Sequence, residues 1–259
     1  MVAQIGPYHS DIKGDGKAGK IRGPFLLEPT KKPDSVTYPI LWSHDAERER
    51  AICFEADNQG TPRSAKTAEH KQIVVDKVNE VMATASNLHF NQNFQFNSQS
   101  TAMQYSQRAA IGGRAWMSLK FTSPDLEAAV VLWGNSSLGL LLHWWQANKQ
   151  QKGRGNMGKE ALAKMTMLDP HQLSEAQRQQ SMALLEKRAA IPMLPFNEID
   201  VDKARAELDA EFLITILGLP EDLAKPGGPL ELLRRKLAAE PSIHGSKKSH
   251  VGSQRSVIA

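Results

Sequence analysis

The sequence predicts an α+β fold, with short mixed strands in its first part and mostly helices in its last. Three observations carry this. Residues 1–67 hold short β-prone runs broken by turns, residues 68–86 switch to helical spacing, and the last hundred residues carry helix caps around apolar stripes. The expected organisation is a mixed α/β unit over 1–170, a helical region over 171–241 and a disordered, basic tail over 242–259.

Asp11–Lys20 is turn-rich, with three glycines. Tyr38–Trp42 and Ala51–Glu55 have strand composition and are separated by the charged segment Asp45–Arg50. Thr61–Lys66 reads as a polar loop. Ile73, Val74, Val78, Val81, Met82 and Ala85 then recur at three-to-four spacing and predict an amphipathic helix. Phe94-Gln95-Phe96 alternates, Arg114–Phe121 is mixed, and the unbroken apolar run Ala128–Trp133 is expected to be a buried strand. Ser136 or Ser137 can cap a helix over Leu138–Asn148. On it Leu138, Leu141, Leu142 and Trp145 share a face, so Trp145 is expected inside and Trp144 elsewhere. Gly153–Gly158 breaks that helix. Ser174 and Gln177 form a capping-box pair for a helix reaching about Ala190. Asp200 can cap the next, which carries Ala204, Leu208, Phe212, Leu213 and Ile216 and ends at Gly218. Pro229 opens a third, with Leu230, Leu233 and Leu237.

A chain of 259 residues can bury a core without staples, and its single cysteine, Cys53, excludes a disulfide framework and a cysteine-rich zinc site. No apolar run is long enough to span a bilayer, and Met1–Gly6 lacks the pattern of a secretory signal, so a cytoplasmic location is expected. The net charge of +4 is unevenly spread. Residues 101–159 hold Arg108, Arg114, Lys120, Lys149, Lys152, Arg154 and Lys159 against only Asp125 and Glu127, while the flanking segments are near neutral. A local basic surface is what phosphate contact needs, and an ordinary solvated face has the same composition.

Catalytic patterns fail on inspection. Gly153–Lys159 matches half of a phosphate-binding loop, but Glu160 stands where magnesium binding wants Ser or Thr, and a helix rather than a strand precedes it. The histidines lack metal-ligand spacing, no Gly-x-Ser-x-Gly elbow exists, and Asp15-Gly16-Lys17, Glu55 and Asp57 make no convincing nuclease set. Cys53 sits in an apolar run where an inert thiol is the default. What remains is an amide-dense stretch: Asn91, Gln92, Asn93, Gln95, Asn97, Gln99, Gln104 and Gln107, with hydroxyls interleaved. Asn and Gln pair bidentately with adenine and Arg with guanine, and all bind phosphate oxygens. A polar low-complexity loop would look the same.

Ile111-Gly112-Gly113-Arg114-Ala115-Trp116, then Leu132–Leu141 with Asn135-Ser136-Ser137-Leu138, then Met167–Pro170 followed by Leu173-Ser174-Glu175-Ala176-Gln177, resemble the C-terminal target-recognition region of bacterial N6-adenine DNA methyltransferases of restriction-modification and phage-defence systems. In that family an Asn-Ser-x-Leu helix and a Leu-Ser-x-x-Gln helix flank the recognition module. Ala204–Asp209 with Leu217-Gly218-Leu219 resembles the closing helix. The resemblance covers roughly residues 85–220. The family's Asn/Asp-Pro-Pro-Tyr/Phe motif and its glycine-rich S-adenosylmethionine loop are both missing from the sequence, so no catalytic residue carries over.

The resemblance therefore implies a DNA-binding recognition module without catalytic residues or a cofactor of its own. S-adenosylmethionine would enter only through a partner methyltransferase or defence-complex subunit. Double-stranded DNA is the expected partner, and no membrane is. Candidate base readers are Asn93, Gln95, Asn97, Gln99 and Gln104. Candidate phosphate contacts are Arg108, Arg114, Lys149, Lys152, Arg154 and Lys159, and no metal site is expected. The alternative is a structural or interaction subunit that docks through apolar C-terminal helices and an exposed tryptophan.

Overall fold

The computed structural model describes residues 2–5, 11–12, 21–22, 24–28, 37–42, 44–113, 115–150 and 153–244. The fold is α+β. Among the described residues seven strands form one mixed sheet: β1 (Val2–Ile5), β4 (Phe25–Glu28), β5 (Tyr38–Leu41), β6 (Asn58–Pro62), β7 (Ser86–Asn91), β8 (Met103–Gly112) and β9 (Trp116–Lys120). Their order is β1-β9-β7-β8-β5-β6-β4. Neighbours run antiparallel except β5 and β8, where Ile40 lies opposite Ile111 in parallel. Two-stranded ribbons form from β2 (Asp11–Ile12) with β3 (Ile21–Arg22), and from β10 (Asn148–Gln150) with β11 (Arg154–Asn156).

Helix α1 (Ala68–Met82) starts where the Thr67 hydroxyl accepts from the His70 amide at 3.2 Å. It buries Val74, Val78 and Val81 with Phe25, Ile40 and Ile111 in a small core, while Ile73 stays exposed. A larger core joins Leu88, Phe90 and Leu119 of the sheet to α2 (Pro124–Asn135), α3 (Ser137–Gln146), α4 (Lys159–Ala163), α5 (Glu175–Arg188), α6 (Lys203–Leu208), α7 (Pro229–Ala238) and α8 (Pro241–His244). The tail expected to be disordered thus begins as α8, and 245–259 lie outside the described residues, as does Asp15-Gly16-Lys17.

Several sequence expectations are corrected. Ala128–Trp133 is not a strand but the middle of α2. That helix is enclosed nearly all round, with Leu126 to Leu132 all buried, so it shows no amphipathic period by which to tell it from a buried strand. Phe94–Phe96 makes a single bridge, Gln95 to Arg154, and Ala51–Glu55 a single one, Cys53 to Tyr105. On α3 the tryptophans are reversed: Trp145 is 68% exposed and Trp144 is half-buried, its indole donating to Ser242 Oγ at 3.0 Å. Leu140 and His143 face inward instead. Gly139 sets this rotation, because a Cβ there would lie 2.0 Å from the Trp133 carbonyl oxygen, and α3 therefore packs tightly across the end of α2. The α6 cap is Asp202 rather than Asp200, accepting from the Arg205 amide at 3.2 Å, and a π-helical turn, Asp209–Ile216, continues it. The Ser136 cap, the Ser174–Gln177 capping box, the left-handed Gly218 (φ 73°) and Pro229 at a helix start all match expectation.

The stretches that resemble the methyltransferase family act here as fasteners. The Asn135 amide accepts from the Ala102 amide at 2.9 Å and donates to Met103 O at 2.8 Å, tying the end of α2 to β8. Ser137 donates its backbone N–H and hydroxyl to Asp209 at 2.8 and 2.5 Å, and Arg234 pairs with the same carboxylate at 2.7 Å. Arg205, fully buried, pairs with Asp202 at 3.3 Å and donates to Ser100 O at 2.6 Å and to Asn135 O.

His143 is buried against Phe90, with ring centroids 4.8 Å apart, and against Phe94 at 5.1 Å. Burial lowers its pKa from 6.5 to about 3, and that of His89 to about 4. Between those values and 6.5 the unfolded chain binds more protons than the native one, so stability is fully present above about pH 6.5 and falls as pH drops toward 3. Urea midpoints measured from pH 7 to 4 should fall accordingly, and His143→Phe should flatten the slope.

Candidate nucleic-acid interface

The loop after β7 runs beside the β10–β11 ribbon. Phe96 N donates to Gly153 O at 2.8 Å, Gly155 N to Phe94 O at 2.8 Å and Met157 N to Gln92 O at 2.9 Å. This extends the ribbon by an irregular third edge. Gly155 is required there, since a Cβ would stand 2.7 Å from the Phe96 ring. A third segment, the turn after β5, closes a cleft of about 600 Å³ lined by Trp42, His44, Ala46, Asn93, Gln95, Ser98, Gln99, Ala115 and Arg154.

The two rings in this cleft are braced from behind. The Trp42 indole lies on Gly113, where a Cβ would come within 2.5 Å of Cε3. The His44 ring packs on Trp116, which is fully buried, with centroids 5.3 Å apart. Beneath them runs a buried polar network. The Glu49 carboxylate accepts from the Asp45 amide at 2.7 Å and from the Gln99 amide at 2.6 Å, and pairs with His44 Nδ1 at 3.2 Å. Gln99 Oε1 in turn accepts from Gln95 N at 2.5 Å and Asn91 Nδ2 at 3.2 Å. At the rim, the Asn156 amide donates to Asn93 Oδ1 at 2.5 Å, and Arg154 Nε donates to Gln95 Oε1 at 3.1 Å.

The amide-rich stretch therefore divides. Asn93 and Gln95 line the cleft with Arg154. Asn97 links this loop to α8, accepting from Gln95 Nε2 at 3.1 Å and donating to His244 O at 3.3 Å. Gln99 and Gln104, expected as base readers, are both buried. Gln99 is 2% exposed with its amide committed to Glu49 and Gln95, and Gln104 is 1% exposed and donates to Thr101 Oγ1 just before the start of β8. Gln104 is thus held inside the fold, while Gln99 lines the cleft with its amide already engaged and braces the loop.

The cations are more dispersed than the charge count suggests. Arg108 is exposed on β8 and pairs loosely with Glu55 at 3.9 Å. Lys149 donates to Trp145 O at 2.9 Å and lies 4.6 Å over the Trp144 ring, and burial lowers its pKa against the opposing pull of Glu240. Lys159 is exposed at the start of α4, while Arg114 and Lys152 lie outside the described residues. Sequence reasoning misses Trp42, His44 and Glu49, because a Trp-x-His at a strand end and an acid in a charged run have no distinctive spacing. Cys53 is inert by environment, burial pushing its thiol up to about 11. Among the described residues no cluster of His, Cys, Asp or Glu could hold a metal ion, and no helix is long and apolar enough to cross a membrane.

No protein-family model matches the chain, and no curated protein matches it. Among solved structures, the type IIG restriction endonuclease BpuSI is similar in fold over 84% of this chain, with a TM-score of 0.52 and 11% identity. The chain spans 30% of that enzyme's length.

Proposed function

We propose that this chain is a DNA-binding target-recognition module or subunit of a restriction-modification or phage-defence system. It acts in the cytoplasm beside an N6-adenine methyltransferase partner and carries no catalytic residues itself. The observation that carries the reading is the cleft, where Asn93, Gln95 and the cation Arg154 meet two braced aromatic rings on an amide-rich edge. The fold it shares with part of a restriction endonuclease supports the same reading. S-adenosylmethionine belongs to the partner subunit. In this reading Arg154, Lys159, Lys149 and Arg108, together with Arg114 and Lys152, neutralise phosphates, while Asn93 and Gln95 face bases.

The test is anisotropy of a labelled duplex at rising salt. Binding at low salt is expected, with log K falling linearly against log salt at about −0.9 per phosphate neutralised. No binding at low salt, or a flat response, overturns the proposal.

A further inference from the structure

We propose that the cleft receives one unstacked purine nucleotide, its base against the Trp42 and His44 rings and its phosphate beside Arg154. The inference deepens the DNA-binding reading and rests on it for the source of the nucleotide in a strand. A paired base shows a protein only its groove edge, since its faces are covered by neighbouring bases. Aromatic side chains gain from a base only when its face is bare. Here two aromatic rings line one cleft, and each is held from behind, Trp42 by Gly113 and His44 by Trp116. That backing fixes their orientation before any ligand arrives, which lowers the ordering cost of binding.

The cleft volume, about 600 Å³, lies within the range of small-molecule sites, roughly 300–1,000 Å³. Its remaining wall is amide and hydroxyl, from Asn93, Gln95 and Ser98; Gln95 is engaged by Arg154 and Asn97, and the Asn93 amide nitrogen and the Ser98 hydroxyl are the groups offered to a purine edge. Arg154 lines the same wall, its Nε donating to Gln95 Oε1 at 3.1 Å, and a guanidinium in that place can pair with the phosphate of the nucleotide. Glu49 and Gln99 act as positioning residues. The buried carboxylate orients His44, and the buried amide orients the Gln95 backbone.

The test compares three probes by equilibrium binding: a fully paired duplex, the same duplex with one purine opposite an abasic position, and free deoxyadenosine monophosphate. The unpaired purine should bind about tenfold tighter than the paired duplex, a gain of the size that base–aromatic stacking supplies. Trp42→Ala should erase that preference and leave the salt slope unchanged. His44→Ala should reduce it, and Trp42→Phe should retain most of it. Monophosphate binding with the same Trp42 dependence, without a duplex preference, supports the cleft as a purine nucleotide site fed from solution. Duplex binding with a normal salt slope, no preference for the unpaired purine and no monophosphate binding overturns this inference and leaves the DNA-binding proposal intact. Loss of all duplex binding, with monophosphate binding kept, does the reverse.

Discussion

Arg205→Ala is expected to destabilise the protein by about 3–5 kcal/mol, the cost of breaking a buried ion pair from one side. Arg205 is fully buried, and its guanidinium serves Asp202, Ser100 O and Asn135 O at once. Truncation leaves Asp202 without its cation and two carbonyls without their donor. The damage extends beyond α6, because Ser100 and Asn135 belong to the loop before β8 and the end of α2. Chemical unfolding followed by far-UV dichroism measures the loss. Arg205→Lys restores the charge but only one compact donor group, so it should recover a minority of the stability. A loss below about 1 kcal/mol for the alanine variant would contradict the role assigned to this residue.

The double charge reversal Arg154→Glu with Lys159→Glu is expected to weaken duplex binding on the order of tenfold or more at low salt. It should also lower the salt slope by about one for each phosphate no longer neutralised. Both side chains are exposed, one on β11 and one at the start of α4, so folding should be little affected. An unchanged melting curve alongside weakened binding separates the two effects. If binding survives the reversal while Trp145→Ala abolishes association with a protein partner, the interaction-subunit alternative is favoured. Trp145 is the tryptophan of α3 that solvent reaches, at 68% exposed, so it is the ring such docking would use.

The elements legible in the sequence are those with local causes. Ser136 and Ser174 offer side-chain acceptors to the first free amides of a helix, and each cap forms as its residue type dictates. The failures have non-local causes. Ala128–Trp133 reads as a strand because burial on nearly all sides of α2 erases the helical period. Spacing alone puts Trp145 inside, but the close approach of Gly139 to Trp133 and the aromatic shell around His143 fix the rotation of α3. The candidate interface is half legible. Amide density and basic charge point to the loop after β7 and to Arg154, and these two do meet. Composition cannot separate Asn93 and Gln95 at the cleft from Gln104 within the fold, or from Gln99, which lines the cleft with its amide already engaged. For Gln99 that division depends on Glu49, a carboxylate fifty residues away in sequence that consumes its amide. Nor can composition supply Trp42 and His44, whose role appears only once β5 lies beside β8 and brings Gly113 and Trp116 behind them.

The most direct test of the central claim is photocrosslinking of the chain to a duplex carrying 5-iodouracil, with crosslinked peptides located by mass spectrometry. Crosslinks should concentrate on the peptides that hold Trp42 and His44, the stretch 92–98 and the β10–β11 ribbon. Crosslinks confined to α5, α6 or α7, or none at a salt concentration where binding is measured, would contradict it.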